Sequence, residues 1–112
     1  MSYRVAIASS DGKYVNQHFG RATQFLIFDR NEQNEFEFIG LRANCPSCNW
    51  EKADESRHQR TIETLADCQA VIVSRIGPGA VEKLAACGIR ALEIPDFIDE
   101  ALRQLSDATE VL

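Results

Sequence analysis

The run Ala70-Val71-Ile72-Val73-Ser74 constrains this chain more than any other stretch. It is rich in β-branched residues and shows no polar alternation, the pattern of a parallel strand covered on both faces. Gly77-Pro78-Gly79 follows and turns the chain into a predicted helix from Ala80 to Ala86, with Pro in the first turn and Gly88 as its left-handed terminator. Ile89 to Ile94 returns as a strand and Pro95 stops it. Asp96 is placed to cap a last helix whose Ile98, Ala101, Leu102 and Leu105 make one apolar stripe, with the tail after Ser106 expected to fray.

Upstream, the apolar run Tyr3 to Ala8 reads as a strand that ends in the turn chemistry of Ser9-Ser10-Asp11-Gly12. Gln24 to Asp29 and Glu35 to Leu41 flank the polar stretch Arg30-Asn31-Glu32-Gln33-Asn34 and should pair as an antiparallel hairpin. Ala43 to Asp54 carries no period and reads as an irregular loop. Ser56-Arg57-His58-Gln59 fits a capping box ahead of a helix with Ile62, Leu65 and Ala66 on one face, broken at Asp67-Cys68-Gln69. Strand-helix-strand crossovers require parallel pairing with right-handed connections, and the hairpin adds antiparallel pairing at one side. The expectation is an α/β fold, a mixed five-stranded sheet between helical layers. At 112 residues the chain is expected to be a single domain, 1–112, able to bury roughly 65% of its unfolded surface.

A net charge of −5 argues against nucleic acid as a partner, because phosphate binding needs a concentrated basic face. It leaves room for a small anion held by local arginines. No apolar run approaches the roughly 20 residues that span a bilayer, and no export signal opens the chain, so a cytoplasmic location without membrane contact is expected. The four cysteines then read as thiols or metal ligands. Cys45 and Cys48 form a pair, whereas Cys68 and Cys87 stand beside element boundaries and are expected to be small buried hydrophobes.

The chemistry on offer centres on Asn16-Gln17-His18-Phe19-Gly20-Arg21. Here an imidazole ligand stands beside an apolar wall, a residue without a side chain and a fixed positive charge, a cradle for an anion or a metal cluster. His18, Cys45, Cys48 and His58 are the candidate metal ligands, although the spacing fits no zinc finger. Gly77-Pro78-Gly79 exposes backbone N–H groups to an anion but lacks the Walker ending and the third dinucleotide glycine. The strands Arg4 to Ala8 and Ala70 to Ser74 hold no carboxylates, so a two-metal nuclease is not supported; Asp11 and Asp29 at strand ends read as turn caps.

Val5-Ala6-Ile7-Ala8-Ser9-Ser10-Asp11-Gly12, Val15-Asn16-Gln17-His18-Phe19-Gly20-Arg21-Ala22 and Phe25-Leu26-Ile27-Phe28-Asp29 together resemble the opening of the dinitrogenase iron-molybdenum cofactor biosynthesis family. That family includes NifX-like and NafY-like carriers and the C-terminal domain of NifB. The likeness continues through Ile76-Gly77-Pro78-Gly79-Ala80 and Gly88-Ile89. It implies a three-layer ribonuclease-H-like fold with strand order 3-2-1-4-5, strand 2 antiparallel and helices on both faces. It also implies a non-enzymatic carrier for the iron-molybdenum cofactor or its iron–sulfur precursor, working with nitrogenase assembly proteins or apo-nitrogenase. On this resemblance His18 is a direct ligand and Arg21 and Arg75 balance cluster charge. Asn16, Gln17, Phe19, Gly20, Gly77 and Gly79 line the site, and Cys45, Cys48 and His58 close over it. Two other readings of the residues stay open. One is a regulatory or interaction module that holds a single zinc or iron ion on the Cys45/Cys48 loop. The other is a thiol reductase, disfavoured because Asn49 to Glu55 separates Cys48 from the predicted helix start.

Overall fold

The computed structural model describes residues 3–33, 35–43 and 60–110, with side chains through Leu105. Five strands, β1 (Tyr3–Ala8), β2 (Gln24–Arg30), β3 (Phe36–Ala43), β4 (Ala70–Val73) and β5 (Arg90–Glu93), form one sheet in the order β3-β2-β1-β4-β5. β2 runs antiparallel to both β1 and β3, while β1–β4 and β4–β5 are parallel. Residues 60–64 are helical, and α1 (Pro78–Ala86) and α2 (Ile98–Glu110) complete the regular structure with a one-turn 3-10 helix, Phe19–Arg21. This is the order and direction that the resemblance implies.

Two-residue alternation along the central strands sorts their side chains into two cores. Ala6, Ala8, Phe25, Ile27, Val71 and Val73 face one side, where Ile62, Leu65, Ala80 and Leu84 cover them. Val5, Ile7, Leu26, Ala70 and Ile72 face the other, beneath Ile98, Ala101, Leu102 and Leu105 of α2. Every residue of β4 is fully buried, so the unalternating run is a central strand with helices on both faces.

Some expectations shift. α2 continues to Glu110, past the predicted end at Ser106, and α1 opens at Pro78, two residues ahead of Ala80. β3 runs on to Ala43, held by the pairing of Ala43 with Gln24. Cys68 is buried as expected, but Cys87 is exposed, because it sits on the turn after α1 just before Gly88 at φ +78°. Asp96 accepts the adjacent Phe97 N–H at 2.7 Å, while the first N–H of α2, on Ile98, goes to the Lys13 carbonyl at 2.8 Å. Cys45, Cys48, His58 and the start of the first predicted helix lie outside the described residues.

Asp29 is no turn cap. It sits within β2 and takes a bidentate bond from Arg4, Nε to Oδ1 at 2.7 Å and Nη2 to Oδ2 at 3.0 Å. Arg4 also reaches Asp67 at 2.6 Å, and Arg42 on β3 grips Asp67 at 2.7 Å and the Thr64 carbonyl at 2.8 Å. Guanidinium hydrogen bonds hold the Asp29 and Asp67 carboxyls below the usual carboxylate range, from Arg4 for the first and mainly from Arg42 for the second. This network ties β1, β2 and β3 to the turn ahead of β4. Beside it, burial pushes the Cys68 thiol up to about 11, so it is inert as a nucleophile at neutral pH.

Two measurements check this account. Ile72→Ala should cost about 2–5 kcal/mol in urea unfolding, because β4 cannot collapse around the cavity. The depressed carboxyls stabilise the fold in full above the ordinary carboxylate pKa of about 3.9, and that contribution drains away as pH falls from there through their lowered native values. Asp67→Asn should therefore lower stability by about 1 kcal/mol at neutral pH, since Asp67 is half exposed, and flatten the acid limb of the thermal midpoint against pH.

Candidate functional site

The segment between β1 and β2 lies across the carboxyl ends of β1, β4 and β5, and its shape follows from where its backbone groups find partners. Directly after β1, Ser9 Oγ accepts the Gly12 N–H at 3.0 Å and donates to Asp11 Oδ1 at 3.1 Å. Asp11 Oδ1 also accepts the N–H groups of Lys13 at 2.9 Å and Tyr14 at 3.1 Å, and these bonds lower its pKa. Gly12 at φ +74° permits this reversal, which a side chain would strain. Asp11 is thus the turn cap that its sequence position suggests.

The segment is then stitched to the fold twice. At 13–15 it pairs with the connection leading into α2: Val15 N–H donates to the Asp96 carbonyl at 2.9 Å, and Tyr14 bridges Phe97. Their rings meet edge to face at 5.2 Å, and Tyr14 Oη donates to the Pro95 carbonyl at 2.7 Å. At 17–19 it continues β4: Ser74 N–H donates to the Gln17 carbonyl at 3.0 Å and Phe19 N–H to the Arg75 carbonyl at 2.9 Å, which sets His18 beside Arg75 in parallel register. The topology thus brings the His18 segment against Arg75-Ile76-Gly77-Pro78-Gly79, the crevice at the carboxyl ends of parallel strands where α/β proteins hold ligands.

His18 caps the 3-10 turn with extended backbone, and its imidazole is exposed, with no hydrogen-bond partner among the described residues. The exposed Arg21 and Arg75 form no ion pair among the described residues. α1 begins at Pro78 without a side-chain cap, so its first-turn N–H groups remain open to an anion. A Cβ at Gly77 or at Gly79 would meet nothing within 4 Å. Nothing in the packing of the described residues requires either glycine, and their missing side chains leave clearance beside the turn. The Ile76 N–H is held by Glu93 Oε1 at 3.0 Å, which fixes the turn from the end of β5. Ser74 Oγ, on the residue whose N–H meets the Gln17 carbonyl, is buried with no hydrogen-bond partner among the described residues.

Three of the sequence candidates have a different place from the one expected. Phe19 is no wall of the site: it is buried in the core with Ala22 and anchors the turn from below. Asn16 and Gln17 are clamps. The Asn16 amide exchanges bonds with Ser10, accepting its N–H at 3.0 Å and donating to its Oγ at 3.0 Å. The Gln17 amide spans the base of the His18 turn, donating to Thr23 Oγ1 at 3.1 Å and accepting Thr23 N–H at 3.2 Å. Sequence reading missed Glu93, Tyr14 and Phe97, whose parts depend on contacts between distant segments. No group of three His, Cys, Asp or Glu side chains able to hold a metal ion occurs among the described residues. A cavity of about 590 Å³ lies elsewhere, between β2, β3 and the start of α2, lined by Lys13, Leu26, Phe28, Phe38, Phe97 and Asp99 among others. It is apolar and open, and it contains none of the imidazole or guanidinium groups that mark the crevice.

Residues 1–108 match the family described as "Dinitrogenase iron-molybdenum cofactor". The chain is 39% identical over 106 residues to the FeMo cofactor biosynthesis protein NifB of Frankia alni, covering 90% of this chain and 20% of that protein. It is 34% identical over 113 residues to the protein NifY of Azotobacter vinelandii, covering 96% of this chain and 45% of that protein. It therefore spans about a fifth of the one relative and under half of the other. In fold it is similar to the apo form of the orange protein from Desulfovibrio gigas, with a TM-score of 0.70 at 20% identity, covering 94% of this chain and 88% of that one. With a match that runs nearly end to end and takes in the His18 segment and the Gly77–Gly79 turn, the chain belongs to the dinitrogenase iron-molybdenum cofactor family.

Proposed function

We propose that this chain is a carrier that binds an iron-molybdenum cofactor, or the iron–sulfur cluster that precedes it, as cargo and passes it between nitrogenase assembly proteins without turnover. The observation that supports this most is His18: an exposed, uncommitted imidazole whose backbone is locked on both sides to the end of β4. Such a group can accept a metal without rearranging the fold. A metal–sulfur cluster is large, anionic and soft, and it favours imidazole or thiolate ligation, flanking positive charge and room to approach. Arg21, Arg75 and the open start of α1 supply charge and N–H donors, and Gly77 and Gly79 supply the room. Cys45, Cys48 and His58 are the further donors this reading assigns to the cargo. Two relatives are named FeMo cofactor biosynthesis protein NifB, which supports a place in that process. No helix among the described residues is long and apolar enough to cross a membrane.

Anaerobic titration with the isolated cluster tests the reading. His18→Ala should weaken binding at least about tenfold, or about 1.4 kcal/mol, with the thermal midpoint of the empty protein unchanged. Equal affinity in parent and variant would remove His18 from the site. A preparation that holds one zinc per chain, lost in Cys45→Ser, and that rejects cluster would overturn the carrier function itself. Arg21→Ala and Arg75→Ala should each weaken binding at low ionic strength and lose most of that effect at about 1 M salt, where the Debye length shrinks to about 3 Å.

A further inference from the structure

β3 is an edge strand whose outer side pairs with nothing among the described residues, yet Phe38, Ile39 and Leu41 on it are 55%, 48% and 58% exposed. Exposed edges of this kind invite strand addition, and proteins usually guard them with charge or proline. Here the strand carries a glycine at its centre and a register shift of its own: Ile27 pairs with Gly40 and Phe28 with Phe38, which leaves Ile39 as the bulged residue. Gly40 is not at positive φ, and a Cβ there would meet nothing within 4 Å, so neither backbone nor packing among the described residues accounts for it. An interior strand glycine with vacant space above it marks a place where another chain approaches.

We propose that β3 is a self-association edge, pairing antiparallel with β3 of a second copy of this chain about a two-fold axis between residues 39 and 40. The argument is independent of the cargo reading, because β3 contributes nothing to the His18 crevice. In this register Ile39 stands opposite Gly40 of the second copy, so each exposed isoleucine fills the space over the other chain's glycine. Phe38 stands opposite Leu41 of the second copy. Phe38 already packs edge to face on Phe28 at 5.6 Å, and Leu41 pairs with Leu26. The pairing therefore extends two short apolar rows into one that crosses both sheets, the kind of cross-strand contact that stabilises antiparallel pairs. One pair further out, Glu37 meets Arg42 of the second copy, opposite in sign, and Arg42 is pre-positioned by Asp67 and the Thr64 carbonyl. The bulge favours the same occupant: a regular strand meets it out of step, whereas a two-fold places one irregularity against its equal.

Sedimentation of the whole chain in reductant, which silences the exposed Cys87, reads the outcome. The parent should approach twice the 12.5 kDa chain mass with rising concentration, while Leu41→Lys and Glu37→Lys stay at 12.5 kDa with parental thermal midpoints. Both positions are on the exposed edge, and the second sets two cations face to face without touching the core. A parent that remains monomeric at about 1 mM, or folded variants that still dimerise as the parent does, would overturn the proposal.

Discussion

The structure turns on what happens to the backbone of β4 when the strand ends. Where a strand buried on both faces ends, the N–H and C=O groups that follow it still need partners. In this chain they go to the segment that follows β1: Ser74 N–H to Gln17, and Phe19 N–H back to the Arg75 carbonyl. Those two bonds make residues 17–19 an extension of the sheet. His18 lies between them, so its backbone is as fixed as that of a strand while its side chain points away from the core. Folding has therefore already ordered the backbone that presents the imidazole, so no loop has to be immobilised to hold it in place.

Around that point the division of labour is clean. Phe19 and Ala22 sink into the core on one side of the turn, and Asn16 and Gln17 hold its shape with amide bonds. The groups left over are His18, Arg21, Arg75 and the open turn of α1. The ionic network of Arg4, Asp29, Asp67 and Arg42 joins the start of β1 and the turn ahead of β4 to the far end of β3, and its charges are paired with one another. Charge that stabilises the fold is thereby separated from charge that is free to meet a ligand, and the net acidity of the chain does not decide what the crevice attracts.

Much of this was legible in the residues. The unalternating Ala70–Val73 run announced a central strand, Gly77-Pro78-Gly79 announced the turn into α1, and Gly88 its end, because each rests on local sterics or local burial. The strand order came from the resemblance and not from periodicity. The failures share one physical origin. Asn16 and Gln17 look like ligands in sequence because their amides are versatile, and only the proximity of Ser10 and Thr23 shows them already occupied. Phe19 beside a histidine reads as a site wall until the core claims it. Cys87 borders a helix as Cys68 borders a strand, and whether a boundary residue is covered depends on what packs over it, which neighbours in sequence do not report.

The stitch at residues 13–15 also carries a consequence for timing. The partners of that stretch are Asp96, Phe97 and Ile98, more than eighty residues further along. While the chain emerges from the ribosome, β1 and the β2–β3 hairpin can form early, but the arch that presents His18 lacks one of its two footings until the start of α2 has been made. A nascent chain thus carries His18 on an unfinished arch, and the crevice takes its final shape only when the residues ahead of α2 have joined the fold.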